Sequence, residues 1–312
     1  CSLASKHAEN RTTIAKRLVA LLNGKIPERA VQILKAIARL SADSAANQVA
    51  VAKTGGIPPI ITWLSSASEE AQKEAASALL HMATNNTTTQ VLIAKSNGIP
   101  PLIQLVSKGS PEAQESAARA LWHLASSNES QVAIADSGGI TPLVGMLSAE
   151  DARSQEIATV AISRLARGNP TVSITIADSG GIVPLVRLIK DGSATSQLQA
   201  AAALAEVGLV SANRDVIAKA GGIAPLVAML SSATPGSAET AARTLANLAR
   251  ENEAPSSSAA PASAPAADAN APSAAPAPEA TSAPAAEAPS ASSAPSAASL
   301  ATVGDVAVVA AQ

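Results

Sequence analysis

The sequence predicts an all-α fold, a right-handed superhelical solenoid of about six three-helix units. Three observations carry that expectation. The phrase "ADSGGI" stands at 135–140 and again at 177–182, with variants "AKTGGI" at 52–57, "AKSNGI" at 94–99 and "AKAGGI" at 218–223. The first residue of each Gly pair, replaced once by Asn, falls at 55, 97, 138, 180 and 221, in steps of 42, 41, 42 and 41. Phe and Tyr are absent and only two Trp occur, so the core must be assembled from Leu, Ile, Val and Ala in thin layers. A period of this length marks stacked units, none of which hides its apolar face alone.

Each phrase is a corner between two helices. Gly55, Asn97, Gly138, Gly180 and Gly221 are placed to adopt positive φ and close the helix before them, a conformation Asn also tolerates. The second glycine is expected to let the chain turn sharply. A Pro two residues after the apolar Ile that follows (Pro59, Pro101, Pro142, Pro184, Pro225) suits the first turn of the next helix, where its missing N–H costs nothing. The short first helices end in "VAVAKT", "VLIAKS" or "VAIADS", and second helices follow as "PLIQLV", "PLVGML", "PLVRLI" and "PLVAML". A polar turn then opens a longer third helix. In 69–83 the apolar residues Ala71, Ala75, Leu79 and Met82, and in 111–125 Ala113, Ala117, Leu121 and Leu124, share the i, i+4, i+8, i+11 spacing of one buried face. Trp63 is in register with Leu105, Met146, Leu188 and Met229 and is assigned to the core; Trp122 is expected to pack between units.

The units run near 45–84, 87–126, 129–167, 171–210 and 212–250, after a partial unit at 14–41 containing "IAKRLVALLNG" and "PERAVQILKAIARLS". Residues 1–13 are expected to be poorly structured or the remnant of a helix, and Cys1 in place of Met points to a fragment or processed product. Residues 251–312 form an Ala/Pro/Ser-rich tail whose prolines forbid a stable helix and which lacks the bulk for a core, hence a disordered tail. The last third helix, "SAETAARTLANLA", has the pattern of an interior unit, so its outer side needs cover: a further unit lost by truncation, residues 300–312, or end-to-end contact with another chain.

Composition excludes several function classes. The formal charge of −2, without a dense basic patch or aromatic platforms, gives no sign of nucleic-acid binding. One Cys permits neither an internal disulfide nor a cysteine metal site, which fits a reducing, intracellular setting. "CSLASKHAENR" has no apolar core for a secretory signal, and no stretch approaches the roughly 20 apolar residues of a spanning helix. No Ser-His-Asp grouping, G-x-x-x-x-G-K-[ST] or H-E-x-x-H is present, so no enzyme, no cofactor and no metal are expected. His81 and His123 sit on adjacent third helices roughly 10 Å apart, too far for a shared ion. A phosphate site at the glycine pairs is disfavoured by the Pro that removes a donor.

Unit length, glycine corner, Pro position and third-helix pattern coincide five times, well seen in "GGITPLVGMLSAEDARSQEIATVAISRLA", and over residues 14–250 the chain resembles the armadillo repeat family. HEAT repeats have two helices and no recurrent Gly-Gly corner. The resemblance implies a concave groove lined by third helices that holds an extended partner segment. Positions facing away from the core then run Gln32, Lys35, Arg39; Glu74, Ser77, His81; Ser116, Arg119, His123; Ile157, Val160, Arg164; Gln199, Ala202, Glu206; and Thr240, Arg243, Asn247. In importin alpha the last position of each triplet is typically Asn and the one four before it Trp. Here only Asn247 matches, so import of basic signals is not implied. The five Lys/Arg against two Glu in the stripe are closer to β-catenin and imply an acidic or polar extended partner. The expected function is a non-catalytic protein-interaction scaffold or adaptor, cytoplasmic, with nuclear or organelle-surface placement through partners. The alternatives are the substrate-recognition part of a U-box ubiquitin ligase and a membrane-tethered vacuolar adaptor, each requiring a further N-terminal region.

Overall fold

The computed structural model describes residues 2–24, 26–42, 44–232 and 234–250, with side chains from residue 7 onward. What the sequence implies for 251–312, the disordered tail and the cover that residues 300–312 could supply, lies outside the described residues. Two helices, α1 (Ser2–Leu22) and α2 (Pro27–Ser41), precede five triplets. These are α3 (Ala45–Lys53), α4 (Ile57–Trp63) and α5 (Glu69–Ala83), then α6 (Thr87–Lys95), α7 (Ile99–Lys108) and α8 (Pro111–Leu124). The third is α9 (Asn128–Asp136), α10 (Ile140–Met146) and α11 (Ala152–Ala166). The fourth is α12 (Pro170–Asp178), α13 (Ile182–Asp191) and α14 (Ala194–Val207), and the fifth α15 (Ser211–Lys219), α16 (Ile223–Met229) and α17 (Ser237–Leu248). The segment 1–13, expected to be poorly structured or a helix remnant, is helical from Ser2 onward. No Pro or Gly interrupts Ser2–Leu22, and its second half is anchored by buried Ala15, Val19 and Leu22, from which helix propagates cooperatively.

The corners form as their residues demand, with one revision. Gly55, Asn97, Gly138, Gly180 and Gly221 all have positive φ, 60° to 79°. At the third corner the Gly138 and Gly139 amides donate back to the carbonyls of Ala135 and Ile134, both at 2.9 Å, closing α9. The second glycine does not supply the turn: Gly139 has an ordinary helical φ of −71°. Its role is steric. A Cβ there would lie 2.7 Å from Ile134 Cγ2, 2.9 Å from the Ile134 carbonyl oxygen and 3.0 Å from Ile103 Cδ1 of the preceding layer. The same socket recurs, with Val19 against Gly56, Ile61 against Gly98, Val144 against Gly181 and Val186 against Gly222. Each layer is thus seated on the next by an aliphatic knob in a glycine socket.

The third helices stack in series, α2 on α5, α5 on α8, and so on through α11 and α14 to α17. The predicted inward residues Ala71, Ala75, Leu79, Met82, Ala113, Ala117, Leu121 and Leu124 are all fully buried. Alanines at 76, 78, 118 and 120, also fully buried, keep the helices close. Two assignments differ. Trp63 is only half-buried, because its indole exceeds the slot that buries Leu105, Met146, Leu188 and Met229; it leans towards the α1–α2 turn and donates from Nε1 to the Leu22 carbonyl at 3.3 Å. Ile157, placed in the outward stripe, is buried with 7% exposure, as an apolar β-branched side chain beside a packed neighbour is driven to be.

A polar seam, not foreseen from the sequence, joins the layers behind the third helices. Buried Gln48 donates from Nε2 to the carbonyls of Ser41, at the end of α2, and His81, at the end of α5, at 3.0 and 2.8 Å. Buried Gln131 repeats this two layers on, bonding Arg164 O at 3.0 Å and Ala125 O and Arg167 O at 3.4 Å. Arg214, in the same register, reaches Gly208 O at 3.0 Å and Arg250 O at 2.8 Å. These side chains satisfy orphan carbonyls of two successive third helices at once. First-helix caps complete the seam: Ser44, Asn86, Ser127 and Asn169 each accept from the amide three residues on. Val210 holds that position in the last unit and makes no side-chain cap, although its backbone is extended as a cap requires (φ −81°, ψ 119°). Val210→Asn is therefore expected to stabilise the chain by about 1 kcal/mol, seen as a rise of about 2–4 °C in the thermal midpoint by circular dichroism.

Candidate functional site

Between α5 and α8 the stacked helices leave a cleft of about 660 Å³. Six of the residues expected in the groove line it: Glu74, Ser77 and His81 from α5, and Ser116, Arg119 and His123 from α8. The remainder lie outside this cleft, on helices serially packed with it: Lys35 and Arg39 on α2, Arg164 on α11, Glu206 on α14, and Arg243 and Asn247 on α17. Arg39, Arg164 and Arg243 are exposed, whereas Lys35, Glu206 and Asn247 are half-buried. Two of these polar groups are committed to the stack. Glu206 accepts from the Gly168 amide at 3.1 Å, and Asn247 donates from Nδ2 to Ala205 O at 2.9 Å.

Sequence reasoning missed Lys73, Glu112, Glu115 and Arg153, which also line the cleft. They flank the stripe, and long side chains sweep over its edge. They change its electrostatics. Lys35 bonds Glu70 at 2.9 Å and approaches Glu74 at 3.8 Å, while Lys73 lies 2.8 Å from Glu70. On α8, Glu115 takes a hydrogen bond from Arg153 Nε at 2.6 Å and lies 3.9 Å from Arg119. Burial pushes the Glu74 carboxyl above its usual range, and the nearby lysines only partly offset this. The two lysine hydrogen bonds hold Glu70 below its own. This half of the row is a self-neutralised network of ion pairs.

The α8–α11 step differs. His123 stacks on Trp122 with ring centroids 4.8 Å apart and planes 13° apart, and the Arg164 guanidinium lies 5.9 Å from the Trp122 ring centroid. Among the described residues no carboxylate lies within ion-pair distance of Arg164. Trp122 thus stacks with His123 and lies within cation–π reach of Arg164, a contact that attracts a cation without neutralising it. Burial first, then the charges of Arg164, Arg119 and His81, lower His123 from 6.5 to about 4. His123 is thus neutral at pH 7 in a positive local field. Unfolded chains take up this proton at higher pH than folded ones, so stability falls as pH drops from 6.5 towards 4. His123→Gln is expected to flatten that slope in urea titrations across the same window.

Among the described residues no three His, Cys, Asp or Glu side chains are grouped to hold a metal, and no single helix is long and apolar enough to cross a membrane.

The profile of the Armadillo/beta-catenin-like repeat family matches residues 44–84, 86–126, 127–167, 169–207 and 211–250, the five triplets described above. The chain belongs to the armadillo repeat family. No curated protein matches it. Among solved structures, an engineered protein is 31% identical, with a TM-score of 0.72 over 75% of this chain and 96% of that one. A designed armadillo repeat protein is 24% identical, with a TM-score of 0.71 over 75% and 99%. Another, solved in complex with the peptide (KR)4, is 24% identical with a TM-score of 0.69 over 75% and 98%. Likeness at that level extends to the fold. This armadillo protein presents its own side chains along the row of third helices, and its arginines stand at several of the outward positions.

Proposed function

We propose that this armadillo protein is a non-catalytic adaptor that holds an extended polypeptide along the row of third helices, with acidic residues of the partner meeting Arg119 and Arg164. The observation that carries the reading is the Arg164 guanidinium, held over Trp122 beside a neutral His123 and lacking a carboxylate partner among the described residues. A carboxylate that binds there exchanges water for a charge-assisted, bidentate contact with a pre-oriented cation. Designed relatives bind peptides, one of them (KR)4, which supports an extended guest in this fold. A basic guest suits this row poorly, since Arg39, Arg119, Arg164 and Arg243 repel it, Glu74 and Glu115 in the α5–α8 cleft are paired with lysines and arginines, and Glu206 is half-buried against the Gly168 amide.

Fluorescence anisotropy with labelled acidic and basic octapeptides tests the reading. The acidic peptide is expected to bind more tightly than (KR)4, and the combined change Arg119→Glu, Arg164→Glu to weaken it by roughly 100-fold. In the bound state the His123 imidazole should titrate above the value of about 4 it has when free. Equal affinity for both peptides, or no loss on charge reversal, moves the binding site elsewhere.

A further inference from the structure

The last layer exposes a face that every layer before it buries. Ile57, Ile99, Ile140 and Ile182 are 1% to 4% exposed, whereas Ile223 in the same register is 47% exposed. The knobs Val19, Ile61, Ile103, Val144 and Val186 are 6% to 9% exposed, but Val227 is 50% exposed and meets no glycine socket. Leu230 is 43% exposed where Leu64, Val106, Leu147 and Ile189 are 3% or less. On α17 the same holds for Ala242, which is exposed, while Ala76, Ala118, Thr159 and Ala201 are fully buried. This face continues the interface that stacks the layers, and it is apolar for the same reason.

Its exposed edge along α17 is patterned. Glu239, Ala242 and Ala246 are exposed and follow one another at intervals of 3 and 4 on one stripe of α17, and the exposed Arg250 stands two residues past the last helical residue, Leu248. The acid stands at one end, the base at the other, and two small residues lie between. Such a stripe is complementary to itself turned around: when two copies cross antiparallel, alanine meets alanine and Glu239 of each faces Arg250 of the other. Head-to-tail stacking has no such match. The position equivalent to the socket Gly56 in the first layer is Ile14, a side chain where a socket is needed.

We propose that this armadillo protein pairs with a second copy of itself through the end face of its last layer, α17 against α17 about a two-fold axis, with the α16 side chains Val227 and Leu230 flanking the contact. The pairing covers the exposed face of each last described layer and leaves both rows of third-helix side chains available. The stripe's polarity fixes the antiparallel direction, and the alanines let the two helix backbones approach closely.

The test is sedimentation velocity on the full chain from 1 to 100 μM, which should show a monomer–dimer equilibrium. Glu239→Arg alone and Arg250→Glu alone each replace two attractive pairs by two repulsive ones and are expected to weaken the dimer on the order of tenfold or more. Equimolar mixing of these two variants should restore dimers, because one copy then carries a base at both ends of the stripe and the other an acid at both. Val227→Asp should weaken pairing about 100-fold, whereas Val183→Asp, at a residue 65% exposed on α13, should leave it unchanged; thermal melts confirm that all variants fold. A chain that stays monomeric at 100 μM overturns the proposal, as do dimers indifferent to Val227→Asp or single-variant dimers that mixing fails to rescue.

Discussion

Gly139→Ala should destabilise the chain by about 2–3 kcal/mol, more than Gly138→Ala next to it. The order is the reverse of what backbone conformation alone implies. Gly138 has φ +77° and a Cβ there would meet nothing within 4 Å, so alanine pays only the left-handed penalty of about 1–2 kcal/mol. Gly139 has a helical φ that alanine accepts without strain, yet its Cβ would enter the space of Ile134 Cγ2 at 2.7 Å and of a backbone carbonyl at 2.9 Å. The carbonyl belongs to the last turn of α9 and cannot yield without opening the corner. Ile103 on the other side belongs to the preceding layer, so the layers must also part. Paired urea titrations of the two variants measure the difference directly; a larger loss for Gly138→Ala would show that the socket relaxes freely.

Gln131→Leu should cost about 2–4 kcal/mol, although leucine matches glutamine in size and adds apolar area. The side-chain amide of Gln131 bonds the carbonyls of Ala125, Arg164 and Arg167 and accepts from Asn169 Nδ2 at 3.3 Å. Leucine takes this donor away from all three carbonyls and leaves Asn169 Nδ2 with Asn128 Oδ1 alone. Gln131→Glu keeps the shape but removes the donor and sets a charge against three carbonyl oxygens, so it should be at least as damaging. The affinity for an acidic peptide should fall as well, since Arg164 loses the bond that fixes its backbone. A Gln131→Leu protein as stable as the parent would mean that water fills the seam.

The layers, their period and the buried face of each third helix were legible in the sequence, because glycine, proline and aliphatic spacing encode local geometry. Ala71, Ala75, Leu79 and Met82 are buried as their spacing requires. The seam was also written there: Gln48, Gln90 and Gln131 recur in steps of 42 and 41, each immediately before Val at the point where a first helix turns apolar. The same amide side chain returning at one register position of successive units is a signal for a shared hydrogen-bonding role, and here the louder glycine period masks it. The cleft was only half legible. Its stripe positions follow from helix geometry, but Arg153 and Glu115 enter through side-chain reach across layers, which no single-helix pattern contains. Trp63 and Ile157 failed for size and hydrophobicity, properties that an aligned register ignores.

Because Gln48, Gln131 and Arg214 tie the ends of α2 to α5, α8 to α11 and α14 to α17 by directional bonds, those steps along the inner row are fixed as on a ruler. Aliphatic contacts alone tolerate sliding; amides gripping carbonyls do not. On the function proposed above, a guest chain is measured as well as held, and one extra residue between two of its acidic side chains should put them out of step with Arg119 and Arg164.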